Sequence, residues 1–272
     1  MTNKLKTLLN TFGLNFQDWY EFTRYIIKKE KERGTWNPEI LGTWVDTLSI
    51  FYALESCKSV VGENNTCRFS KRALSKKDLN TLLWHLNHNR AVRYRRGSKS
   101  KINYVKEVGD ELSESEARRK LSEFMVDFSI SNYPIPLTYK DENNVDDLNL
   151  MNEIFKFQLI AESELHTKVN DIYRDCLKLT QISADYKIML FRTGKETLAK
   201  NRKKAFERLL TNSLKEEDNA EWLFIGLPSF VEWELKFRER KKLPVIIFTF
   251  KGPKPDDGKV KLDNKSEMWK WN

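Results

Sequence analysis

Residues 157–164 read FQLIAESE, an apolar run that ends in two carboxylates just ahead of a helix-forming stretch. Side chains in a strand alternate between faces, so Glu162 and Glu164 share one face, two residues apart. Like charges that close repel unless a cation, a base or solvent lies between them. Hard oxygen ligands at this spacing suit Mg²⁺. A third acid, Asp127, lies in FMVDFSI, which reads as a strand over residues 124–130. A carboxylate among apolar neighbours is costly unless it is paired or bound to a metal. Nucleophile and nucleotide-loop chemistries find no such support: there is no G-x-S-x-G, no G-x-x-x-x-G-K-[ST] and no G-x-G-x-x-G.

Four short runs follow one another around these acids: Glu123–Asp127 (EFMVD), Ala161–Glu164 (AESE), Asp175–Leu179 (DCLKL) and Lys187–Phe191 (KIMLF). The series resembles the PD-(D/E)xK nuclease superfamily, and more closely a group of bacterial proteins within it. The likeness covers residues 115–192 approximately and does not reach the N-terminal third. It implies a restriction-endonuclease-like core in which Asp127 and Glu162 hold Mg²⁺ and a phosphodiester bond is hydrolysed. Glu164 stands where the superfamily usually has lysine, so this is an E-x-E variant. In that setting Glu164 orients or deprotonates the attacking water, and Glu116 or Glu123 adds an outer carboxylate. A literal E-x-K also occurs at Glu234-Leu235-Lys236, with Asp218 sixteen residues earlier. It leads into RERKKLP and another strand rather than a helix, so the Glu162 site is preferred.

The elements that must position these acids read as a mixed β-sheet flanked by helices, an α/β (α+β) class. A capping box at Ser113 and Glu116 opens a helix. Residues 153–161 read as a strand, 165–179 as a helix, 185–194 as a strand, 195–214 as a long basic helix, and 222–227 and 245–250 as strands. The basic helix carries Lys195, Lys200, Arg202, Lys203, Lys204 and Arg208. They read equally as a solvated face or as phosphate contacts. Ahead of this core, Leu5, Leu8, Leu9 and Phe12 suit one helix, and Phe16, Trp19, Tyr20, Phe22 and Tyr25 a second. Residues 40–56 suit a third, buried one.

The charge is concentrated elsewhere. The chain of 272 residues carries a net charge of +9, yet residues 67–101 hold eleven Lys and Arg against the single acid Asp78. A one-sign block this dense points to a polyanion. Ser75 caps a short helix built on Leu79, Leu82, Leu83 and Leu86, and two strand-like runs follow around Gly97-Ser98. A helix with a basic hairpin suits a winged-helix-like reader of double-stranded DNA. Its expected contacts are Lys71, Arg72, Lys76, Lys77, Arg90, Arg93, Arg95, Arg96, Lys99 and Lys101. His85 and His88 share that helix, and His166 follows the glutamate pair; all three read as exposed rather than ligating.

Composition closes off other classes. Hydrophobic residues make up 40 %, enough for a core, and no apolar run approaches the length of a membrane span. The N-terminus lacks a signal-peptide cleavage pattern. Three cysteines, Cys57, Cys67 and Cys176, are too few for a disulfide framework or a four-ligand zinc site. The expectation is a cytoplasmic, Mg²⁺-dependent DNA endonuclease of restriction-enzyme type, acting as a homodimer. Residues 1–108 would recognise DNA and residues 109–272 would cut it. Glu164 favours the alternative, a non-catalytic DNA-binding regulator on a degenerate nuclease fold.

Overall fold

A computed structural model describes residues 1–32, 49–50, 52–62, 66–69, 126–132, 157–165, 169–193, 196–227 and 243–269. Its centre is a seven-stranded sheet in simple sequential order. The strands are β1 (Thr66–Phe69), β2 (Phe128–Ser131), β3 (Phe157–Glu164), β4 (Ala184–Arg192), β5 (Glu221–Leu227), β6 (Leu243–Lys251) and β7 (Asp263–Trp269). β1, β2 and β3 pair antiparallel, β3, β4 and β5 pair parallel, and β5, β6 and β7 return to antiparallel. Parallel neighbours need crossovers, and two helices provide them. α3 (Val169–Gln181) joins β3 to β4, and α4 (Glu196–Ser213) joins β4 to β5. Both pack on one face of the sheet, as two crossovers of one hand moving in one direction require.

α1 (Asn3–Glu32) covers the opposite face. Its buried residues Leu5, Leu8, Leu9, Phe12, Phe16 and Tyr20 fall at steps of three and four and meet Phe128, Ile130, Leu159, Ile188, Leu190 and Ile225. The phase of that stripe never breaks, so the two helices expected here are one. Gly13 lies inside it, buried, with its carbonyl accepting from Gln17 Nε2 at 3.2 Å. Thr2 caps the helix: its Oγ1 accepts from Leu5 N at 3.2 Å and its hydroxyl donates to the Glu221 carboxylate at the start of β5. Residues 49–50 and 52–56 are helical, as expected for that stretch, and α2 (Lys58–Val61) follows.

The other core lies under α3 and α4. Ile172, Cys176 and Leu179 from α3 and Ala199, Phe206 and Leu210 from α4 close on Ile160, Met189, Phe191, Trp222 and Phe224. β4 and β5 are therefore buried on both faces, which explains the unbroken runs KIMLF and WLFIGL. None of the three cysteines forms a disulfide; Cys57 and Cys176 are buried and Cys67 is half-buried.

Several expectations change here. β2 is four residues long: Phe128 and Ile130 alternate with Ser129 and Ser131 as expected, all four are buried, and residues 124–125 lie outside the described residues. Asp127 stands in a bend just before the strand, not within it. Val126 and Phe128 belong to opposite cores, because the bend turns the chain over between them. β7 was not foreseen: DNKSEMW is polar, as suits a strand paired on only one side among the described residues. The described part of residues 1–108 is built into this same sheet and core through α1 and β1; the boundary at 108/109 lies outside the described residues. So do the winged-helix-like segment and the capping box.

The turn after β6 leaves no room for a side chain. Gly252 N donates to Ala220 O at 3.0 Å, and a Cβ at this position would lie 1.9 Å from the Asp218 carbonyl oxygen. Backbone rather than a flexible side chain stands in the way. Gly252→Ala is expected to destabilise the fold by about 1–3 kcal/mol, measured as a lower urea midpoint; an unchanged midpoint would show that the turn relaxes freely.

Candidate active site

The antiparallel register sets Phe128 opposite Ala161. One step outward, Asp127 therefore stands opposite Glu162, although 35 residues separate them in the chain. Asp127 Oδ2 accepts two hydrogen bonds from the neighbouring residue, from Ser163 N at 2.9 Å and Ser163 Oγ at 3.1 Å. These hold the carboxyl in place near Glu162, on which its charge acts. Glu162 is 1 % exposed.

α3 returns over this strand end with its own charges. Its apolar stripe, Ile172, Cys176 and Leu179, faces the sheet. Asp175 and Lys178, three apart, fall beside that stripe on the half-buried flank. Lys178 Nζ lies 2.7 Å from Asp175 Oδ1 and 3.2 Å from Glu162 Oε1. The site is thus a cluster of three carboxyls, Asp127, Glu162 and Asp175, with one ammonium between two of them.

The electrostatics follow from burial. Desolvation, with Asp127 and Asp175 adding repulsion, outweighs the attraction of Lys178 and pushes the Glu162 carboxyl up to about 9. At neutral pH it is therefore protonated. Burial also raises Asp127, against the pull of the two Ser163 bonds. Burial alone would lower the Lys178 ammonium, but its bonds to Asp175 and Glu162 prevail and hold it above the ordinary lysine value.

Of the three expected catalytic residues, Asp127 and Glu162 come together and Glu164 does not join them. The strand pairs Glu162 with Met189 and Glu164 with Phe191, so both glutamates share the α3 face as alternation requires. Glu164 is half-buried about 7 Å further along the strand. The groups that shift Glu162 are Asp127, Lys178 and Asp175. In the sequence Asp175 and Lys178 stand out only as part of the run DCLKL, with no role attached to either. The available signal was an acid and a base three apart on the flank of an amphipathic helix that follows a carboxylate-bearing strand.

The remaining candidates fall elsewhere. Asp218 is held by Lys187, 2.6 Å away and 1 % exposed, beneath the Trp222 ring at the opposite end of the parallel strands. That pair is closed on itself, which explains Asp218 without any role for it in an E-x-K site; Glu234 and Lys236 lie outside the described residues. A cavity of about 520 Å³ opens beside Lys187 and Asp218, lined also by Lys215 and Lys251. Glu116, Glu123, His85, His88, His166, Lys195 and the ten DNA-contact candidates from Lys71 to Lys101 lie outside the described residues. Among the described residues no group of three or more His, Cys, Asp or Glu side chains is arranged to hold a metal ion, and no helix is long and apolar enough to cross a membrane.

No protein-family model, curated protein or solved structure matches the chain.

The pH dependence of this cluster has a definite sign. A carboxyl whose folded value is about 9 against an ordinary 4.5 stabilises the fold fully at acid pH, and that contribution is lost as pH rises towards the folded value. Glu162→Gln cannot ionise. At about pH 8 in EDTA it is expected to melt higher than wild type, by about 2–4 °C per kcal/mol of strain relieved, with a flatter melting profile towards alkaline pH. A lower melting temperature at that pH would mean that Glu162 is held as a satisfied carboxylate.

Proposed function

We propose that the chain is a metal-dependent nuclease that hydrolyses phosphodiester bonds of DNA at the Asp127–Glu162 cluster. The observation that carries this reading is the convergence of a bend-borne Asp and a buried strand-borne Glu, with a helix-borne lysine against them. Topology supports it too: Asp127 stands at the entry to β2, Glu162 lies on β3, and a helix and then a strand parallel to β3 follow. That order is the one the resemblance to PD-(D/E)xK nucleases implies.

The donor set fits Mg²⁺ in a restricted sense. Two adjacent carboxyls supply hard oxygens, and Mg²⁺ is commonly held by one or two carboxylates with water and substrate phosphate completing the shell. When bound, it supplies Lewis-acid polarisation of a phosphoryl oxygen and acidifies a coordinated water. Asp127 and Glu162 would hold it, which requires Glu162 to give up its proton. The chain's other residues have separate tasks. The Ser163 N–H and hydroxyl keep the Asp127 carboxyl in one orientation. Asp175 holds the Lys178 ammonium at the cluster, where its charge opposes the charge that builds on a phosphoryl group. Lys178 thereby offers the cation that Glu164 does not. Glu164, at the strand end, remains the candidate to orient the attacking water. The basic segment from Lys71 to Lys101 would bring the polyanion to the site, and a homodimer would let two such sites act on two strands. The absence of a strand-borne lysine at position 164 favours a second reading, a DNA-binding regulator with an inactive nuclease fold.

The test is plasmid cleavage with Mg²⁺ or Mn²⁺. Asp127→Ala and Glu162→Ala are expected to abolish cleavage while mobility-shift binding of DNA persists. Lys178→Ala is expected to slow it by roughly 10²–10³-fold. Wild-type protein that shifts DNA without nicking it would select the regulator, and full cleavage by both carboxylate variants would reject the site.

A further inference from the structure

Arg202 is set apart from the other cations of α4. Lys200, Lys204 and Arg208 are exposed, and Lys203 is engaged by Glu207 at 2.9 Å. Arg202 is only 5 % exposed, and its Nε and Nη1 have no hydrogen-bond partner among the described residues. Its guanidinium lies 5.6 Å from the centre of the Phe191 ring, and no carboxylate among the described residues pairs with it. A guanidinium does not shed its charge in a protein. A buried charge with no counter-charge is strongly destabilising, so such a group calls for a missing partner.

Its place in the fold says what that partner is. Phe191 is next to last in β4 and pairs with Glu164 across β3, so Arg202 sits at the C-terminal edge of the parallel strands, the edge that carries Glu162. Ligands of open α/β sheets bind at that edge. α3 and α4 both begin there, and their N-termini present partial positive charge. Arg202, in the second turn of α4, leans back towards that end. Tyr173, in the second turn of α3, lies on the same side: its ring meets Phe206 edge-on at 5.8 Å, and Phe206 in turn meets Phe191 at 5.1 Å. A fork of unpaired donors, a phenol and two helix N-termini make a cradle for a compact anion, and a guanidinium fork matches phosphate oxygens.

We propose that Arg202, assisted by Tyr173, is a phosphate-binding position, and that it holds a phosphate of the substrate strand on the other side of α3 from the one at Asp127 and Glu162. The second clause rests on the nuclease reading; the phosphate position does not. An incoming phosphate parts the side chains over the guanidinium, forms hydrogen bonds to Nε and Nη1, and supplies the absent counter-charge.

Thermal unfolding with increasing inorganic phosphate tests it. Wild type is expected to gain melting temperature with phosphate concentration, as any ligand of the native state requires. Arg202→Met is expected to lose that gain and, in phosphate-free buffer, to melt no lower than wild type because an uncompensated charge is gone. A wild type indifferent to phosphate, or an undiminished gain in Arg202→Met, overturns the proposal. If Arg202→Met does not fold, Arg202→Lys decides: it keeps the charge but not the fork, so its gain is expected to fall by half or more, and a full gain overturns the proposal. Cleavage assays run beside these separate the two readings. An Arg202-dependent phosphate response in a protein that cuts no DNA rejects the nuclease reading alone; cleavage without that response rejects the phosphate position alone.

Discussion

The register between β2 and β3 governs the chemistry available to this chain. Because Phe128 pairs with Ala161, the next residues outward are both acids, and both lie where the strand leaves its apolar core. A slip of one residue would turn Glu162 towards the α1 face, among Phe12, Phe16 and Leu159 and away from Lys178. Apolar residues on both sides enforce the register: Ile130 and Ala161 belong to one core, Val126 and Ile160 to the other. The bend at Asp127 ends the pairing just where continued burial of a carboxylate would be most costly. The Ser163 N–H and hydroxyl then supply the hydrogen bonds that the strand no longer does.

Charge is handled differently at the two ends of the parallel strands. At the N-terminal end, Lys187 and Asp218 neutralise each other at 2.6 Å beneath Trp222. At the C-terminal end the acids exceed the one lysine among them, and Arg202 has cation to spare on the far side of α3. Structural pairs close on themselves, whereas perturbed groups with unbalanced partners mark places where something is bound or transformed.

The strands with the strongest apolar character were legible in the sequence. β4, β5 and β6 lie where their continuous runs put them, because strands buried on both faces have no competing pattern. α4 was equally plain from its periodicity. Asp127 and Glu162 were identifiable as acids set among apolar residues, and their meeting needed only a meander to realise it. Asp175 and Lys178 were not assigned a role, because their contact with Glu162 depends on how the helix phase sits over the strand end, and no local spacing encodes that. Arg202 was hidden among five similar cations on one helix; only packing distinguishes a buried guanidinium from a solvated one. The single α1 was divided in two because aromatic residues in its second half masked an unbroken three-and-four repeat.

The contact between Thr2 and Glu221 has a consequence for how the chain is made. The helix that Thr2 caps finds partners in strands made more than two hundred residues after it. Until the strands arrive, its stripe of leucines and phenylalanines has, among the described residues, only the helical segment around residues 50–57 to pack against. Contacts of such separation slow folding, and apolar surface left open in the meantime invites association with other chains. The same helix that seals the finished sheet is thus the segment with the longest wait, and a chain stalled before β5 would present it as a natural landing place for chaperones.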